Sequence, residues 1–143
     1  MAKRRPGITW RVRASLVILL ALATVPLTGC GTGGREDDIR AVAERFAAAV
    51  DEGDGAAACA LLTADAREAL QSDEKKPCSE AVTDLDVKAS PVTNVSVEIT
   101  SGSAHYAAGG NVFLDETTYG WRISAAACEP RPDGQPYDCE LEA

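Results

Sequence analysis

The sequence predicts an α+β domain in which helices come first and an antiparallel sheet follows. Two patterns carry that prediction. Apolar residues recur at helical spacing between residues 36 and 52, and after residue 85 they alternate with polar ones in short runs. Turn-forming residues separate those runs, so neighbouring strands are expected to meander antiparallel, with the helices on one face of a curved four-stranded sheet. A chain of 143 residues has room for one such domain. An apolar fraction of 45% and a charged fraction of 25% exclude a collagen, a fully disordered chain and a polytopic membrane protein.

The elements follow in order. Ile39, Val42, Ala43, Phe46, Ala49 and Val50 form one helical face over 36–52, with Glu36, Asp37 and Asp38 in the first turn, where negative charge complements the helix dipole. Gly53 is the expected stop. Asp54 reads as the N-cap of a short helix, Gly55–Leu62, and Thr63 as the cap of another, Ala64–Gln71. Pro77 suits the first turn of a fourth helical piece ending near Val82. Val95, Val97 and Ile99 then alternate with polar residues as a half-buried strand. Ser103–Asp115 reads as one long strand bent at Gly109-Gly110. Tyr119, Trp121, Ile123 and Ala125 share a face of the third strand, and Tyr137, Cys139 and Leu141 a face of the fourth.

The first segment reads as an address. Residues 1–13 are basic, and the apolar stretch Ala14–Leu27 is 14 residues long. A membrane span needs roughly 20 residues, so the stretch has the size of a signal-peptide core. Leu27-Thr28-Gly29-Cys30 follows directly and resembles the lipobox of bacterial lipoproteins. The resemblance implies diacylglyceryl transfer to the Cys30 thiol and cleavage before Cys30, with acyl chains such as palmitate holding the protein on the extracytoplasmic face of the cell membrane. The chain then divides into a lipoprotein signal peptide (1–29), a lipidated cysteine with a flexible leash (30–35) and a folded domain (36–143).

Five of the 14 basic residues fall in that signal segment, which leaves nine against 22 acidic ones. A body so acidic repels phosphate backbones and carries no basic stripe to offset the repulsion, so nucleic acid is excluded as a partner. With Cys30 lipidated, Cys59, Cys78, Cys128 and Cys139 remain, an even number outside the cytosol, which reads as two disulfides. Four cysteines allow three pairings, of which the local one, Cys59–Cys78 with Cys128–Cys139, is expected. Spacings of 19 and 11 residues lack the close ligand pairs of a zinc site. Asp51-Glu-Gly-Asp-Gly55 lacks calcium ligands at its third and fifth positions and reads as a helix corner. Neither a metal nor a cofactor is implied.

Three stretches carry a family resemblance. Phe46–Leu62 is a first helix, a Gly-Asp corner and a small-residue second helix ending in a double leucine. Gly110–Leu114 with Gly120-Trp-Arg-Ile123 is a strand, a turn and a further strand. Ala126-Ala-Cys128 with Pro136-Tyr-Asp-Cys139 is similar to the tail of secreted lipoproteins from high-GC Gram-positive bacteria. Together they resemble the NTF2-like superfamily, also called SnoaL-like or cystatin-like, which implies a cone of helices packed on a curved sheet. Enzymes with this fold set an acid or base inside an apolar cone, but no catalytic residue transfers by motif. The first helix offers Phe46 and no tyrosine, and the acids fall at caps, turns and polar strand faces. His105, the single histidine, points away from the core by alternation. Phe46, Tyr106, Tyr119 and Trp121 are the candidates for lining a pocket. The expectation is a non-enzymatic, membrane-tethered domain that serves an envelope protein or binds a small apolar ligand. The alternative is a SnoaL-like isomerase, cyclase or hydrolase acting on a hydrophobic metabolite.

Overall fold

The computed structural model describes residues 32–143, and the expected signal peptide and Cys30 lie outside the described residues. The element order is α1 (Thr32–Asp51), α2 (Gly55–Ala60), α3 (Ala64–Glu74), α4 (Cys78–Ala81), a 3-10 turn (Val82–Asp84), then β1 (Val92–Val97), β2 (Ser101–Tyr106), β3 (Asn111–Thr117), β4 (Gly120–Glu129) and β5 (Asp138–Glu142). The strands form one antiparallel sheet in sequence order. The domain is therefore α+β as predicted, with five strands rather than four. No described helix is long and apolar enough to cross a membrane.

Helix α1 buries the predicted face, with Ile39, Val42, Ala43, Phe46, Ala47, Ala49 and Val50 against the rest of the core. It begins four residues earlier than the periodicity predicts and takes in Gly33 and Gly34. The leash expected at 30–35 is therefore helical from Thr32 onward. Arg35 supplies the reason: its Nη2 donates to the Ile99 carbonyl at 2.7 Å and pairs with Glu116 at 2.9 Å, fastening turns that glycine alone disfavours. Glu36, Asp37 and Asp38 consequently stand in the second turn, and the first turn holds no acid. The C-terminus closes as a Schellman motif. Gly53 adopts φ +74°, its N–H donates to the Val50 carbonyl, and the Asp54 N–H donates to the Ala49 carbonyl.

Local cap chemistry sets the next two helices as read from the sequence. The Asp54 carboxylate accepts from the Ala57 N–H at 3.0 Å, and the Thr63 hydroxyl accepts from the Ala66 N–H at 3.1 Å. Pro77 is the N-cap residue of α4 rather than part of its first turn. Between α2 and α3 the chain runs parallel to β4: the Thr63 N–H donates to the Ile123 carbonyl and the Ile123 N–H to the Leu61 carbonyl, both at 2.8 Å. This short pairing places the start of α3 beside the sheet.

The sheet departs from the sequence reading at three places. Gly109 and Gly110, at φ +100° and +79°, turn the chain between β2 and β3, so the predicted long strand is a hairpin. Ile99 stands beyond the end of β1, in the turn that leads to β2, and is exposed rather than on the strand's half-buried face. In β4, shifts opposite Phe113 and Leu114 let Ala125 and Ala126 both be buried, which strict alternation forbids. Two side chains from α1 dress the first residue of the edge strand β1: Glu44 accepts from the Val92 N–H at 3.1 Å, and Arg40 donates to the Val92 carbonyl.

Candidate functional site

The face of the sheet that meets α1 is the place where the sequence puts a pocket. Three of the four candidate lining residues are there, and they are packed core. Phe46 is fully buried, and Tyr106 and Trp121 nearly so, among Ile39, Leu62, Val112, Leu114 and Ile123. The Tyr106 hydroxyl donates to the Ala43 carbonyl at 2.7 Å. Burial raises the phenol's pKa well above its ordinary value and the nearby Glu44 charge adds to the shift, so the hydroxyl stays a donor tied to α1. Trp121 takes the Arg35 guanidinium over its ring, 5.2 Å from the centroid. No polar or charged residue is buried among the described residues. Among the described residues that interior holds no carboxylate or imidazole.

Tyr119, the fourth candidate, stands apart in the turn between β3 and β4 and is exposed. It does not share the buried face of Trp121 and Ile123, because Thr117 and Gly120 close the turn around it. With Trp121 it edges a shallow hollow of 270 Å³ beside Asp38, Ala41 and Arg45 of α1.

Both disulfides form as expected. Cys59–Cys78 ties α2 to α4, and Cys128–Cys139 joins directly opposed residues of β4 and β5. The four cysteines are thereby structural. His105 is exposed, and its Nδ1 hydrogen-bonds the Asn111 side chain at 3.1 Å. Among the described residues, no three His, Cys, Asp or Glu side chains gather as a metal site.

A larger hollow lies on the side of the sheet away from α1, beside the start of α3, and the sequence reading missed it. It measures about 720 Å³, within the size range of ligand sites, and is open to solvent. Phe113 and Tyr137 form its floor, with ring centroids 5.1 Å apart in an edge-to-face arrangement. Ala125, Pro136 and Cys139 extend the apolar surface. Asp65, Asp115 and Glu142 stand around it, all exposed. Its parts come from β3, β4, β5 and the start of α3, so the sheet pairing brings together residues far apart in sequence. Tyr137 precedes β5 and faces this hollow, not the buried side occupied by Leu141. The alternation of Val112 and Leu114 with Phe113 was a signal that Phe113 faces outward.

No family model, curated protein or solved structure matches the chain.

Proposed function

We propose that this chain is a bacterial lipoprotein, anchored through Cys30 to the extracytoplasmic face of the cell membrane, whose NTF2-like domain works by surface recognition and not by catalysis. The observation that carries the second half is the filled space between α1 and the sheet. Phe46, Leu114 and Ile123 occupy it, and its one hydroxyl is committed to the Ala43 carbonyl. The surface hollow floored by Phe113 and Tyr137 is then the recognition site. Its apolar floor and three carboxylates suit a group that is apolar and positively charged together, such as an aromatic or basic segment of an envelope protein or a small organic cation. The first half is supported by the Leu27-Thr28-Gly29-Cys30 motif after a 14-residue apolar stretch.

Titration with tryptamine and with neutral indole, followed by the NMR signals of the Phe113 and Tyr137 rings, tests the site. The reading predicts saturable shifts with tryptamine, lost in Tyr137→Ala and weakened by salt. Equal response to both compounds, or none, would refute the assignment of this hollow.

A further inference from the structure

Among the described residues, three large apolar side chains are exposed: Ile99 at 86%, Tyr119 at 84% and Tyr137 at 41%. Tyr137 has a partner in Phe113. Single exposed apolar residues are ordinary on protein surfaces. The position of the other two is not arbitrary. Ile99 tips the β1–β2 turn and Tyr119 the β3–β4 turn, and antiparallel order puts both turns at one end of the sheet. The Glu116 N–H donates to the Thr100 carbonyl at 2.8 Å and joins the two turns. Arg35 of α1 binds both, through the Ile99 carbonyl and the Glu116 carboxylate, and stacks on Trp121. The start of α1 is thus pinned to the same end.

Chain length then fixes where that end sits if Cys30 carries lipid. Arg35 is three helical residues from Thr32, about 4.5 Å of rise. Cys30 precedes Thr32 by two residues, at most about 7 Å of chain. The acylated residue's Cα therefore lies within about 12 Å of the Cα of Arg35, the residue that clasps both turns. A leash this short brings the two turns to the headgroup layer, where tyrosine and aliphatic side chains partition favourably.

We infer that this end of the domain is a membrane-contact surface, with Ile99 and Tyr119 seated in the bilayer interface so that the domain is held in one orientation on its anchor. The inference rests on the lipid anchor proposed above. Two side chains suffice because the tether supplies a high local concentration of bilayer. The contact is apolar rather than electrostatic: Glu36, Asp37, Asp38, Glu98, Asp115 and Glu116 outnumber Arg35, Arg45 and Arg122 at this end. It therefore weakens as anionic lipid is added. The hollow floored by Phe113 and Tyr137 lies on a sheet face flanking this end, free for a partner.

The test uses the full chain, processed and extracted from membranes of an expressing Gram-positive host. It is reconstituted into phosphatidylcholine vesicles whose acyl chains carry bromine, a contact quencher of tryptophan. Tryptophan reporters are placed by Ile99→Trp, by Tyr119→Trp and, in the β2–β3 turn at the other end of the sheet, by Ala108→Trp, with the wild-type Trp121 signal as the baseline. The inference predicts at least twofold quenching at positions 99 and 119, unchanged emission at 108, and reduced quenching when phosphatidylglycerol makes up a third of the lipid. Lipidated protein whose reporters at 99 and 119 are quenched no more than at 108 would overturn the inference alone. Intact mass of the same samples, showing no acyl chains, would overturn the anchor and the inference together.

Discussion

Gly55→Ala probes the tightest approach in the helical half. An added Cβ would stand 1.7 Å from the Ser79 carbonyl oxygen and 2.7 Å from its carbon, whereas ordinary contact begins at 3.4 Å. Helices α2 and α4 must then part by about 1.7 Å, and both neighbours are backbone, with no side chain to swing aside. The Cys59–Cys78 disulfide ties the same two helices and resists that parting. Overpacking of this kind costs about 3 kcal/mol, the upper end of the usual range. A domain of this size loses about 4 °C of Tm per kcal/mol, so a fall of about 12 °C is expected. Thermal unfolding followed by circular dichroism measures it, with Gly33→Ala as the control. Gly33 lies in α1 with open space around it, and alanine there should raise stability by about 0.5–1 kcal/mol. Removing the clamp with paired Cys59→Ser and Cys78→Ser changes should relieve part of the Gly55→Ala penalty, a coupling of at least about 0.5 kcal/mol. A Gly55→Ala Tm within 2 °C of wild type, on the order of half a kcal/mol, would show the packing described here to be wrong.

Two further outcomes follow. Tyr106→Phe removes a buried hydrogen bond while the Ala43 carbonyl keeps its place in the helix, and should cost about 1 kcal/mol at pH 7 by urea unfolding. Because the folded pKa of Tyr106 lies above its ordinary value of about 10, the unfolded chain releases this proton first as pH rises, so the wild type loses stability above about pH 10 and Tyr106→Phe declines less steeply. Cys128→Ser with Cys139→Ser opens an 11-residue loop and should cost about 2–3 kcal/mol. Helical circular dichroism is expected to persist and amide protection to fall first in β4 and β5; protection lost in α1 while β4 and β5 keep theirs would contradict this.

The helical half was legible because its signals are local. Asp54 and Thr63 cap the helices they precede, and Gly53 provides the left-handed residue the Schellman turn requires. The start of α1 was not legible, since Arg35 overrides Gly33 and Gly34 through contacts with Ile99, Glu116 and Trp121, which are more than 60 residues away. In the sheet, two adjacent positive-φ glycines are a hairpin signal in their own right, and reading Gly109-Gly110 as a bend cost one strand. The cysteines were readable by count and spacing. The hollow was not, because Phe113, Tyr137 and Asp65 meet only through strand pairing and the short parallel run of Leu61–Thr63 beside β4. Phe46, Tyr106 and Trp121, expected to line a pocket, are packed core, because the side chains around them fill the space they surround.

Intact-mass and N-terminal mass spectrometry of the chain recovered from the membrane fraction, beside Cys30→Ala, tests the account most directly. The account predicts a mature chain that starts at Cys30, carries a diacylglyceryl group with further acylation, and leaves the membrane fraction in Cys30→Ala. A wild-type chain found unacylated in the culture fluid, cleaved at another residue, would contradict it.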